Sequence, residues 1–225
     1  MRALDHAVEL MYHPLASEIP TKRLCLEAIK DLFTYLPQSK ADPNDAEIRT
    51  KLFLACYASL FPFLFSGGVG LSHSIGHAIG ATYAIPHGVT SCLSLAPVVR
   101  LKASNPDEAK QIARINPYIG KQSTGDDRKD AQVVADAIAN LVDELGLKTT
   151  LTAVCVFNPY MSRGLTDHST TCPLARKKRM LLHHELFTVT RIIRTLPTVR
   201  YHHQIYDCLN TYISITVKQI IRSLY

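Results

Sequence analysis

The 225-residue chain has no tryptophan, and its six cysteines, Cys25, Cys56, Cys92, Cys155, Cys172 and Cys208, never come within C-x-x-C spacing. That spacing gives no support to a histidine and cysteine zinc knuckle. With no secretory segment ahead of them, the cysteines read as reduced thiols of an intracellular protein, cytoplasmic or mitochondrial. Long apolar runs are also lacking. A bilayer span needs about 20 apolar residues, whereas Leu52 to Phe65 is a mostly apolar run of fourteen that contains Pro62. We expect this run to be a helix buried on all sides, and we expect no membrane partner.

Acidic residues are scarce in only one part of the chain. Residues 155–225 carry 3 Asp+Glu against 10 Lys+Arg, whereas residues 1–154 carry 16 against 15, so the formal net charge of +6 belongs to the tail. The tail also holds only one of the 10 glycines. Its run Arg176-Lys177-Lys178-Arg179 has no aromatic platform or binding motif beside it. It reads as a solvated face, with no nucleic-acid partner expected. Two domains follow: 1–154, and a divergent basic tail over 155–225 with weak structure or short helices.

Strand signals are few in the first part, and helical ones are many, so the fold class is mainly α. Ala3 to Leu10 is apolar at helical spacing, and Lys22 to Tyr35 is amphipathic and closed by Pro37. Asp42-Pro43 supplies a cap and first-turn pair for a third helix. Asn105-Pro106-Asp107-Glu108 is a capping-box arrangement that opens a helix to about Ile115. After a polar loop over Lys121 to Asp130, Ala131 to Leu145 is amphipathic, with Gly146 as its C-cap.

The chemistry concentrates in Ser66 to Leu101. His73 and His77 stand four residues apart, so on a helix they share a face. Tyr83 to Pro86 reads as the helix end, His87-Gly88 as a turn, and Val89 onward as a second helix folding back, which lets His87 reach the same cleft. Any one histidine is most simply a hydrogen-bonded core or surface residue. Three imidazoles within fifteen residues, set among glycines, instead suggest ligands for zinc or ferrous iron. His73-Ser-Ile-Gly-His77 has no glutamate where a zincin general base would stand, which leaves a metal-dependent hydrolase weakly supported.

The pattern G-x-x-H-x-x-x-H-x-x-G over Gly70 to Gly80, followed by Ile85-Pro86-His87-Gly88, resembles the signature of the iron-containing alcohol dehydrogenases, which share a fold with dehydroquinate synthases. Arg2-Ala3-Leu4-Asp5-His6-Ala7-Val8-Glu9 is similar to that family's other metal-binding segment, in the form of the maleylacetate reductase branch. The resemblance runs from about Met1 to about Val154. It implies the helical C-terminal domain of that fold, with the α/β nucleotide-binding domain absent from the chain. It implies Fe2+ or Zn2+ held by His6, His73 and His87, with His77 relaying a proton near the nicotinamide of NAD(P). The family's fourth ligand is an aspartate, and that position here is Arg2, whose guanidinium cannot coordinate a cation. No residue is assigned to the dinucleotide, because Gly67-Gly68-Val69-Gly70 does not follow a strand and reads as close backbone packing. The implied activity is hydride transfer between NAD(P) and a small-molecule alcohol, aldehyde or maleylacetate-like acid, weak or missing in this chain alone. The alternative is a non-catalytic partner of a full-length relative, or a homo-oligomer.

Overall fold

The computed structural model describes residues 1–62 and 70–156. Among the described residues, 1–62, 70–81 and 86–149 belong to one compact unit and 82–85 with 150–156 to another. The described residues form eight α-helices and no strand, as the mainly α reading requires. They are α1 (Arg2–Tyr12), α2 (Arg23–Ala41), α3 (Ala46–Leu60), α4 (Leu71–Tyr83), α5 (His87–Lys102), α6 (Pro106–Ala113), α7 (Asp127–Glu144) and α8 (Leu151–Val156). A π-helical turn over Glu18–Lys22 and a 3-10 turn over Asn116–Ile119 complete the set. The tail beyond residue 156, with its basic run, and the glycines Gly67 and Gly68 lie outside the described residues.

The first unit is built around α1, which buries every residue from Leu4 to Tyr12. It packs against α2, α3, α5 and α6, while α7 closes the far side against α5 and α6. Leu4, Leu10, Met11, Ile29, Leu32, Leu95, Ile112, Ile115 and Ile138 are its large buried side chains. Each contributes about 1.5–3 kcal/mol through removal of apolar surface from water.

Local signals account for most helix ends. Asn105 Oδ1 accepts from the backbone N–H of Asp107 at 3.0 Å and of Glu108 at 3.3 Å, capping α6. Glu108 does not reach back to complete the capping box; its carboxylate takes Lys102 Nζ at 2.6 Å. Gly146, at φ 70°, ends α7 in the left-handed region, with Leu147 N–H donating to Val142 O at 2.9 Å.

Several boundaries differ from expectation. Helix α2 runs through Pro37 to Ala41, ending at Asp42. The cap of α3 is Asp45, whose Oδ1 accepts from Ile48 N–H at 2.9 Å, and Asp42 instead makes an Asx turn to Asn44 N–H at 3.0 Å. Asp126 caps α7 through Arg128 and Lys129 N–H, so that helix starts inside the segment read as loop. The larger correction concerns the apolar run from Leu52. Helix α3 buries only Ala55 and Ser59, and leaves Phe53, Leu54, Tyr57 and Leu60 between 52% and 73% exposed. The helix enclosed on all sides is α1, which carries two carboxylates. No helix among the described residues is long and apolar enough to cross a membrane.

Candidate functional site

Three helices deliver the site, and the residues they contribute all belong to the first unit. Helix α1 carries Asp5, His6 and Glu9, α4 carries His73 and His77, and α5 begins with His87. The first N–H groups of α4 have no partner within their own helix. The Glu9 carboxylate of α1 takes them, accepting from Gly70 N–H at 2.9 Å, Ser72 N–H at 2.6 Å and His73 N–H at 3.3 Å. A buried carboxylate at the positive end of a helix dipole is favourably placed. Gly70 is required there, since a Cβ would occupy the space of the Glu9 carboxylate. Gly76 has the same role farther along α4, where a Cβ would stand 2.8 Å from Thr90 Oγ1 of α5. Two glycines thus bring α4 close to both α1 and α5.

This packing gathers all four histidines singled out by spacing and resemblance. His6 stacks on His73 with ring centroids 4.6 Å apart and planes at 18°. His73 and His87 meet edge to face at 5.0 Å, as do His77 and His87, while His73 and His77 are 6.2 Å apart. His6 and His73 are buried at 6% and 1% exposure, and His77 is exposed at the rim.

Hydrogen bonds orient two of the rings. His73 Nδ1 donates to Glu9 Oε2 at 2.8 Å and lies 3.5 Å from Asp5 Oδ1. Asp5 Oδ2 accepts from Ser72 Oγ at 3.1 Å, and Ser72 Oγ lies 2.9 Å from Ser94 Oγ. His87 Nδ1 is 3.2 Å from Thr90 Oγ1, which donates to His87 O at 2.8 Å. Burial opposes a charge on His73, but the hydrogen bonds and charges of Asp5 and Glu9 outweigh it and raise its pKa to about 9. Burial, with the charges of His73 and Arg2, lowers His6 to about 4. Burial likewise lowers His87, with His73 and Arg2 acting in the same sense. At neutral pH His6 and His87 are therefore neutral imidazoles, the form that binds metals.

The donor set fits a small divalent cation. Imidazoles bound about 2.1 Å from zinc at near-tetrahedral angles have ring centroids roughly 5 Å apart, close to the spacing of His73 from His6 and from His87. His87 Nε2 is buried with no hydrogen-bond partner, as an unfilled ligand position would be. A second cluster, Asp5, Glu9 and His73, has ligand atoms within 4.8 Å of one another. There the Glu9 oxygens already serve the N-terminus of α4 and His73 Nδ1, while Asp5 Oδ1 is buried without a hydrogen-bond partner. Arg2 is exposed, and its charge bears on His6 and His87, so the fourth position holds a repelling cation.

The sequence reading assigned no role to Asp5, Glu9 or Thr90, and the glutamate beside the histidines, Glu9, orients His73 and caps α4. Two ionisable residues at i and i+4 inside an otherwise apolar helix were the available signal.

Residues 1–164 match the family model described as Fe-containing alcohol dehydrogenase family, C-terminal. The chain is 36% identical over 121 residues to 1-propanol dehydrogenase PduQ of Salmonella typhimurium, covering 53% of this chain and 32% of that one. It is 30% identical over 125 residues to NAD-dependent methanol dehydrogenase of Bacillus methanolicus, covering 56% and 32%. The crystal structure of 1,3-propanediol oxidoreductase superposes with a TM-score of 0.70 at 20% identity, over 98% of this chain and 50% of that one. The chain thus spans about half of that structure and about a third of these two relatives.

Proposed function

The chain belongs to the iron-containing alcohol dehydrogenase family, and from that premise we propose that it supplies the metal- and substrate-binding half of an NAD(P)-linked oxidoreductase acting on a small alcohol or aldehyde. The observation that carries the reading is the convergence of His6, His73, His77 and His87 from three helices on one cleft. His6, His73 and His87 would hold Fe2+ or Zn2+, which when bound acts as a Lewis acid on the substrate oxygen.

The roles of the side chains follow from their burial and charge. His6 and His73 form the dry floor, and α1 behind them excludes water. His87 offers its buried Nε2 toward the cleft. His77, exposed and 5.0 Å from the His87 ring, would exchange a proton between the substrate oxygen and solvent, a role supported by its position at the rim. The described residues contain no strand, glycine turn and helix in series.

The test is turnover by the purified 225-residue chain with NADH or NADPH and short aldehydes. The reading expects weak or no turnover alone, and any residual rate should vanish in His77→Ala while metal binding persists. Robust turnover would overturn the assignment of this chain as one half of the cleft. A second reading rests on the exposed Phe53, Tyr57 and Leu60 stripe of α3: the chain docks on a full-length relative without catalysing. A strictly monomeric sedimentation profile in the presence of that relative would count against it.

A further inference from the structure

A metal-binding histidine needs its proton on the nitrogen that faces away from the metal, and the partner of that nitrogen decides the matter. At His87, Thr90 Oγ1 donates its single hydrogen to His87 O at 2.8 Å. The same hydroxyl oxygen, 3.2 Å from His87 Nδ1, is left only its lone pairs for the ring. With the hydroxyl hydrogen held on His87 O, the ring can use that oxygen only by donating from Nδ1, which leaves Nε2 bare. At His73 a carboxylate plays the same part, because Glu9 Oε2 at 2.8 Å can only accept and so holds a proton on Nδ1.

Building on the metal reading above, we propose that Thr90 and Glu9 are positioning residues that fix the Nδ1–H form of His87 and His73 and so aim both Nε2 atoms into the cleft. Thr90 is completely buried between α4 and α5, with Gly76 making room for its hydroxyl. A threonine this deep with its hydroxyl on a histidine ring does more than fill space, since valine would fill it equally well. The arrangement ties each ring to a different helix: His73 to α1 through Glu9, and His87 to its own first turn through Thr90.

The decisive variant is Thr90→Val, which keeps the shape and removes the hydroxyl, with Thr90→Ser as the rescue. The first readout needs no metal: the long-range 1H–15N spectrum of the His87 ring in the full chain. Wild type and Thr90→Ser should show the proton on Nδ1, and Thr90→Val should shift the ring toward the Nε2–H form. The second readout is Co2+ binding followed by its visible absorption, which should weaken by about 10- to 100-fold in Thr90→Val and recover in Thr90→Ser. Glu9→Gln should weaken it similarly, and if that variant does not fold, the wild-type spectrum alone decides, because a bare Nδ1 on His73 would overturn the claim. An unchanged His87 ring form and unchanged Co2+ affinity in Thr90→Val would overturn it as well. If wild type takes up no Co2+ while the ring form still depends on Thr90, the metal reading falls and the positioning role stands.

Discussion

The opposed shifts of His6 and His73 predict a stability optimum in the metal-free chain. His73 has a folded pKa of about 9 against an ordinary 6.5. The folded state thus binds its proton more tightly, and the stabilisation is complete below pH 6.5 and lost as pH rises through 9. At 1.36 kcal/mol per unit this amounts to roughly 3 kcal/mol. His6 has a folded pKa of about 4, so its contribution is present above pH 6.5 and lost as pH falls through 4, again by roughly 3 kcal/mol. Urea denaturation in chelator should therefore show greatest stability near pH 6.5. For a urea m-value of about 1–3 kcal/mol/M, the midpoint should fall by 1 M or more on either side. His73→Gln should flatten the alkaline limb and His6→Gln the acid limb. A wild-type curve that is level from pH 6.5 to 9, or an alkaline slope unchanged in His73→Gln, would refute the pairing of His73 with Glu9 and Asp5.

Other expectations follow from the same geometry. Metal must displace the second proton of His73, so Zn2+ affinity should rise about tenfold per pH unit between pH 7 and 9, with proton release visible by calorimetry in buffers of different ionisation enthalpy. Arg2→Asp replaces a repelling charge with a ligand and should tighten Zn2+ by about tenfold or more, measured by competition with a chromophoric chelator. Asn105→Ala removes the cap of α6 and should cost about 1 kcal/mol in thermal or urea unfolding while leaving Zn2+ affinity unchanged.

Three members of the histidine cleft, His73, His77 and His87, were legible from spacing, and His6 only through the family resemblance of the segment Arg2 to Glu9. His73 and His77 lie one helical turn apart, and Ile85-Pro86 announces the reversal that returns His87. Seven of the eight helices were legible, helped by end signals that act locally such as Asn105 and Gly146, whereas α8 carried no such signal. The environment of the cleft was not legible. Glu9 meets Gly70 and Ser72 across more than sixty residues of chain, and only the packed structure reveals it as the cap of α4. The same limit explains the inversion of α1 and α3. An uncharged run suggested burial, yet burial depends on which neighbours arrive, and α1, with Glu9 bonded to the N-terminus of α4, receives four of them. Boundaries failed at Pro37 and Asp126, where a proline was tolerated within a helix and one of two adjacent aspartates had to be chosen as cap.

The identity of the metal shell bears most directly on this account. X-ray absorption of the Zn2+-loaded chain should give three imidazole nitrogens at about 2.0–2.1 Å, with fewer in His6→Ala and in His87→Ala. An oxygen-dominated shell that survives both substitutions would move the cation to Asp5 and Glu9 and contradict the four-histidine cleft as the reaction site.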